Sequence, residues 1–166
     1  MGLRNKVPLL KSGNVFTDGQ RHKLIKDCQP LLLQWGKKYP GRQTHPTLHL
    51  HPDFTFLIND ILKIVLKETG LDLVVADKVW INWTNGSKKD INWHCHPCDY
   101  ALVYYMKTPL PFFSNGTLFR NGLFKAPQNS MIIFPAEVEH TAPTSPFRFD
   151  RYTMALDLNI RNDNDG

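Results

Sequence analysis

The chain carries seven histidines, and three of them have the spacing of a metal site. His94 and His96 are two residues apart, so on an extended strand both rings project from one face while Cys95 projects from the other. His140 closes the segment Met131-Ile-Ile-Phe-Pro-Ala-Glu-Val-Glu-His, which reads as a buried strand followed by a turn. A close pair and a distant single can bring three neutral imidazoles onto one face of an ion. That arrangement suits iron(II), leaving positions open for a bidentate cosubstrate and for oxygen. Two other chemistries share these residues. His94, Cys95, His96 and Cys98 together offer the donors of a structural zinc site, and Cys95-His-Pro-Cys98 is formally a Cys-x-x-Cys redox motif. Strand alternation opposes the first, because Cys95 points away from the two rings. The strand-like Tyr100–Met106 opposes the second, because redox pairs of this kind open a helix. His22, His45, His49 and His51 fall in or between helical segments, with no partner at metal-binding spacing, and read as surface or loop residues.

The elements that must position these groups divide the chain in two. From Thr17 to Lys38, residues Leu24, Ile25, Cys28, Leu31, Leu32 and Trp35 recur at helical spacing, with Thr17-Asp18 as a cap and Pro30 as a break or kink. From Asp53 to Thr69, residues Phe54, Leu57, Ile58, Ile61, Leu62, Val65 and Leu66 form one apolar stripe that Gly70 ends. After Gly70 come short β-branched and aromatic runs bounded by Pro, Gly and Asn, as in a sandwich or barrel. Strands are expected near 78–83, 92–95, 100–106, 117–119, 130–134 and 149–158. The expected fold is thus mainly β with N-terminal helices. It is one domain, in which residues 1–70 are helical support, 71–160 a β core and 161–166 a polar tail.

Six blocks of the β half occur in an order that resembles one family. They are Trp80-Ile-Asn-Trp, Trp93-His-Cys-His-Pro, Ala101-Leu-Val-Tyr-Tyr-Met-Lys-Thr-Pro, Gly116-Thr-Leu-Phe, Met131 to His140, and Arg151-Tyr-Thr-Met-Ala-Leu-Asp-Leu-Asn. Between Val79 and Asn159 the chain is similar to the prolyl-hydroxylase-like 2-oxoglutarate and iron(II)-dependent oxygenases, especially a bacterial and viral branch with a His-x-His-Pro motif. The resemblance implies a double-stranded β-helix core, the jelly roll of cupin-like proteins. It also implies Fe(II) and 2-oxoglutarate as cofactors, and a reaction that couples oxidative decarboxylation of 2-oxoglutarate to hydroxylation of a substrate such as a prolyl or other peptide residue.

The same resemblance implies roles for individual residues. His94, His96 and His140 would hold the metal. Arg151 would grip the far carboxylate of 2-oxoglutarate through two parallel charge-assisted bonds, a geometry lysine cannot match. Thr153 shares the face of Arg151 and would add a hydroxyl bond, and Tyr105 aligns with a carboxylate-binding tyrosine while Tyr104 turns to the opposite face. Arg148 competes with Arg151 but sits beside Pro146-Phe147 in what reads as a loop. Asn82 and Trp93 are candidate lining residues, Trp93 with packing as its alternative role. The chain departs from the commoner His-x-Asp pattern by placing His96 at the carboxylate position, so a three-histidine face carries one negative charge fewer. Asp99 is the alternative ligand, reachable if Pro97 introduces a bulge. A jelly-roll binding module without activity is the rival within the same fold.

Composition bounds the rest. A content of 42% hydrophobic and 21% charged residues is that of a globular protein, and no apolar run approaches the ~20 residues of a membrane span. The apolar stretch Val7–Leu10 is too short for a secretory signal, and three cysteines make no disulfide framework; the expected location is the cytoplasm, and the Asn-x-Ser/Thr triplets at Asn82, Asn85 and Asn115 are discounted. The formal charge of +5 is spread along the chain instead of forming a stripe, which speaks against nucleic acid and for an anion-binding pocket. The partner expected is a small-molecule or peptide substrate, selected by loops such as 85–91 and 109–116. Substrate identity and oligomeric state have no readable code.

Overall fold

The computed structural model describes residues 12–34, 41–85, 92–108, 116–143 and 149–162. Two helices come first. Helix α1 (Asp18–Cys28) starts at Thr17, whose hydroxyl accepts from the Gln20 amide while the Gln20 side chain accepts from the Thr17 amide. This capping box satisfies two of the donors that a helix start leaves unpaired. The chain leaves α1 through a 3₁₀ turn, Gln29–Leu31, that contains Pro30, so the expected helix is cut at Cys28; Trp35 lies outside the described residues. Helix α2 (Pro52–Thr69) buries Phe54, Ile58, Ile61 and Val65 along one stripe and ends at Gly70, whose φ of 76° closes the last turn.

Among the described residues eight strands follow or intervene: β1 (Gly41–Gln43), β2 (Leu73–Asn85), β3 (Tyr100–Lys107), β4 (Thr117–Phe119), β5 (Gly122–Phe124), β6 (Ser130–Pro135), β7 (His140–Thr141) and β8 (Asp150–Ile160). They make a five-stranded sheet in the order β1-β2-β8-β3-β6 and a three-stranded sheet in the order β5-β4-β7, with antiparallel pairing throughout. Two antiparallel sheets with this interleaved order form a jelly-roll core. The expected strand at 92–95 is not a ladder. It is reduced to one bridge between His94 and His140, and three short strands absent from the expectation, β1, β5 and β7, complete the sheets.

Alternation along the large sheet assigns each residue to one of two environments. Leu102, Tyr104 and Met106 of β3, Met131 and Ile133 of β6, and Tyr152, Met154, Leu156 and Leu158 of β8 form one core with both helices. The intervening positions face the small sheet, where Ala101, Tyr105, Phe119, Ile132 and Phe134 form a second core. Tyr104 is fully buried on the helix side, with its hydroxyl on Asn129 Oδ1 at 2.8 Å and Phe16 packed edge-on against its ring. Tyr105, its neighbour, is fully buried on the opposite side. The helices thus seal one face of the large sheet and leave the other for the site.

Candidate metal centre and anion pocket

On the inner face of the large sheet, cross-strand register arranges the pocket in rows. Asn82, Thr153 and Tyr105 lie side by side on β2, β8 and β3; Trp80, Ala155 and Val103 form the next row; and Asp157 pairs with Ala101 in the third. Opposite Asp157 the β2–β8 register shifts between Val75 and Val79. The small side chains Ala155 and Ala101 leave room above the sheet. The resulting pocket of about 160 Å³ has His94, His96 and His140 at one part of its wall and Arg151, Thr153 and Thr117 at another.

The three histidines converge although they sit on irregular or very short elements. His94 and His140 exchange backbone bonds (His94 N to His140 O, 3.1 Å; His140 N to His94 O, 3.0 Å), and the His96 amide donates to Ala136 O at 3.0 Å. These bonds hold the 94–96 segment against the end of β6 and against β7. Ring centroids are 4.5 Å apart for His94 and His140, 5.1 Å for His96 and His140, and 5.2 Å for His94 and His96. One nitrogen from each ring lies within 4.8 Å of the others, and among the described residues this is the group of side chains able to share a metal ion.

Each ring's second nitrogen settles which atom faces inward. His94 Nδ1 lies 3.0 Å from Asn92 O and His140 Nδ1 lies 3.0 Å from Val138 O. A carbonyl only accepts, so both Nδ1 atoms carry the proton and both Nε2 atoms present a lone pair. His96 Nδ1 lies 2.9 Å from Asp157 Oδ1, which leaves its Nε2 facing His140 Nε2 at 3.3 Å. Metal–imidazole bonds of about 2.1 Å at right angles would set donor atoms about 3.0 Å apart, so this edge already has the span of a coordination face. His140 is packed against Phe134 at 4.7 Å, centroid to centroid. Its burial, aided by the neighbouring His94 and His96, drives its pKa down from 6.5 to about 4 and keeps it a neutral donor at physiological pH.

The anion-binding part of the pocket is built on β8 and its neighbours. Arg151 and Thr153 share one face of the strand and line the pocket together. Arg151 Nη2 donates to Gly116 O at 3.0 Å, and its guanidinium lies 6.0 Å from the Tyr105 ring centroid. Gly116 adopts φ 118°, and a Cβ there would stand 1.8 Å from Phe124 O, so only glycine brings this carbonyl to the arginine. Tyr105 and Thr117 share a hydroxyl–hydroxyl bond of 2.6 Å. Burial raises the Tyr105 phenol to about 12, against the opposing pull of Thr117 and Arg151; it is a neutral donor. Arg148 lies outside the described residues.

Other candidates fall differently. Asn82 lines the pocket, as does Gln43, with which its side chain is bonded. Trp93 lies outside the lining: its ring packs under the Arg120 guanidinium at 4.1 Å, and Arg120 in turn holds Glu139 through two bonds. Asp99 does not substitute as a ligand, because Oδ2 accepts from the Ile160 amide at 2.8 Å and the residue is tied to the edge of β8. Nor do Cys95 and Cys98 join the cluster; Cys95 is exposed and Cys98 Sγ donates to Tyr100 O at 3.3 Å. The loops 86–91 and 109–115 lie outside the described residues. Sequence reasoning missed Asp157, although an acid in the apolar run Tyr152–Leu158, at even spacing from Arg151, was a visible signal. It also missed Trp80, whose ring stacks on His96 at 5.8 Å.

No family model matches the sequence, and no curated protein sequence is similar to it. Solved structures are similar in fold. The viral collagen prolyl hydroxylase vCPH of Paramecium bursaria Chlorella virus-1 matches with a TM-score of 0.67 at 13% identity, over 98% of this chain and 96% of that one. HygX of Streptomyces hygroscopicus, solved with nickel, 2-oxoglutarate and hygromycin B bound, matches with a TM-score of 0.67 at 10% identity, over 92% of this chain and 82% of that one. AviO1 of Streptomyces viridochromogenes matches with a TM-score of 0.70 at 10% identity, over 95% and 91%. At such identities the likeness is one of fold. The chain therefore has the mainly β, jelly-roll fold found in the 2-oxoglutarate and iron(II) oxygenases, as the order of its sequence blocks implied.

Proposed function

We propose that the protein is a non-haem iron(II) dioxygenase that uses 2-oxoglutarate as cosubstrate and hydroxylates a small-molecule or peptide substrate. One observation carries the reading: one nitrogen from each of three imidazoles converges on a pocket that is also lined by a half-buried arginine and by the hydroxyl residues Thr117 and Thr153. The donor set fits the ion. Each Nδ1 has its own oxygen neighbour, and three ligands on one face leave coordination positions open.

The residues also fit a five-carbon dicarboxylate. Arg151 lines the pocket and donates to Gly116 O, while Thr153 and the neutral phenol of Tyr105 belong to the same row of the sheet. In this reading His94, His96 and His140 hold the metal, and Arg151, Thr153 and Tyr105 bind the distal carboxylate. When bound, iron with 2-oxoglutarate supplies the oxidising power, released by decarboxylation of the cosubstrate to succinate. The chain's part is to fix the donors, orient the dicarboxylate and keep water from the apolar wall formed by Trp80, Ala101 and Val103.

The reaction type is also supported by the fold shared with a viral collagen prolyl hydroxylase and with HygX, which is seen with hygromycin B. The test is conversion of 2-oxoglutarate to succinate with iron(II) and oxygen, run against prolyl peptides and polyhydroxylated small molecules. Iron-dependent succinate formation that disappears in His140→Ala supports the proposal. A protein that binds 2-oxoglutarate but forms no succinate under any of these conditions would instead be a binding module.

A further inference from the structure

The histidine at position 96 leaves the metal face one negative charge short of the two-histidine, one-carboxylate pattern, and the structure holds an acid just behind it. Asp157 projects from the middle of β8, flanked by Leu156 and Leu158, which point to the opposite core. Its side chain is 5% exposed and that of His96 is 12% exposed; Asp157 Oδ1 lies 2.9 Å from His96 Nδ1. The approach is off the axis of a straight hydrogen bond, since Oδ1 has no aligned donor. The contact is chiefly electrostatic. A carboxylate removed from water this far is costly unless a positive partner faces it, and among the described residues no lysine or arginine is paired with Asp157. The Cys98 thiol also lies in the field of Asp157, and burial and that carboxylate together push its pKa up; among the described residues the cationic partner within reach is the ring of His96, whose far nitrogen points at His140 Nε2, 3.3 Å away.

We propose that Asp157 and His96 act as a single anionic ligand. In this pair Asp157 holds the His96 ring with Nε2 inward and returns, through the imidazole, the negative charge that a directly coordinating carboxylate would supply. This deepens the proposed function and rests on its metal site. A cation at Nε2 draws electron density from the ring and makes the Nδ1 proton more positive, so the carboxylate is favoured most when the ion is bound. Trp80 stacks on the His96 ring with centroids 5.8 Å apart, which limits tilting of the ring plane. Asp157 is thereby a positioning residue, and its burial is a stability cost retained for the metal.

The test is cobalt(II) binding to purified apoprotein, followed by titration calorimetry and by the visible d–d absorption of the bound ion. Asp157→Asn should weaken binding by about 10- to 100-fold and alter the d–d spectrum, while the apoprotein becomes no less stable to heat. Asp157→Glu should recover part of the loss. The decisive comparison is made in the background His96→Asp. There a carboxylate can coordinate directly, Asp157 becomes a like-charged neighbour, and Asp157→Asn should leave binding unchanged or tighten it. Equal affinity and equal spectra for wild type and Asp157→Asn would overturn the proposal and leave the metal site intact. A loss of the same size in both backgrounds would also overturn it, marking Asp157 as packing alone. Cobalt binding that is no tighter in wild type than in His140→Ala would remove the metal-site reading itself, and this inference with it.

Discussion

His96 Nε2 and His140 Nε2 face each other at 3.3 Å across the junction of two short segments. His140 has its Nδ1 committed to a backbone carbonyl and His96 has its Nδ1 beside a carboxylate, so two lone pairs point into the same space. Lone pairs at that distance repel unless a proton or a cation lies between them. The surrounding fold maintains the approach through the paired backbone bonds of His94 with His140 and the single bond from the His96 amide to Ala136 O.

That relationship gives a pH dependence. The folded-state pKa of His140 is lowered from 6.5 to about 4, chiefly by burial. Between these values the unfolded chain binds the proton and the folded one does not, so stability from this residue is full above 6.5 and declines as pH falls toward 4. Urea unfolding of apoprotein should show stability rising with pH across that window, and His140→Ala should flatten the rise. An unchanged slope in the variant would place the proton uptake elsewhere.

Arg151 should govern cosubstrate affinity. Replacing it by lysine keeps the charge but loses the planar fork, and hydrogen bonds to charged groups contribute about 1.5–3 kcal/mol each. Arg151→Lys should therefore weaken 2-oxoglutarate binding by roughly 10- to 100-fold while cobalt(II) affinity changes little. Calorimetry with each ligand separately reads the two effects; a matched loss of both would mean that the pocket had collapsed.

Gly116 should tolerate no side chain. Its φ of 118° and the 1.8 Å approach of a built Cβ to Phe124 O require the β4–β5 hairpin to shift. Gly116→Ala should destabilise the protein by about 1–3 kcal/mol and weaken 2-oxoglutarate binding as well, because its carbonyl orients Arg151. Thermal melts and cosubstrate titration of the same sample measure both, and wild-type values for the two would contradict the geometry.

Asn129 is the corresponding prediction for the fold. At φ 62°, its side chain accepts from the Phe16 amide and the Tyr104 hydroxyl and donates to Phe16 O. It ties the segment before α1 to the turn before β6. Asn129→Ala leaves these buried groups unpaired and should cost about 3 kcal/mol, read as a fall in the urea midpoint.

The legible part of this molecule was the part encoded by repetition and by local composition. The stripe of α2 follows from a period of 3.6, its stop from Gly70, and the separation of Tyr104 from Tyr105 from a period of 2, while the strands β3, β6, β8 and the second half of β2 follow from β-branched and aromatic runs bounded by Gly, Pro and Asn. The strands β1, β5 and β7 are too short to establish a period, and they lack the block that marked the equally short β4, Gly116-Thr-Leu-Phe. The 92–95 segment carries alternating side chains but makes only one bridge, because its partner at His140 is itself two residues long. In the site, His94, His96 and His140 were suggested by spacing and block order, and Asp99 was weighed as the missing acid because it lies near them in sequence. The acid that reaches His96 is Asp157, distant in sequence and brought there by β8. Proximity along the chain was the wrong guide, and strand register was the right one.

The central claim is that one metal ion sits between three Nε2 atoms with Arg151 holding a dicarboxylate beside it. Crystals grown anaerobically with cobalt(II) and 2-oxoglutarate, with data collected at the cobalt absorption edge, test it directly. The account predicts a single strong anomalous peak within bonding distance of the Nε2 atoms of His94, His96 and His140, with the distal carboxylate of 2-oxoglutarate on Arg151. A peak on Cys95 or Cys98, or 2-oxoglutarate bound away from Arg151, would contradict it.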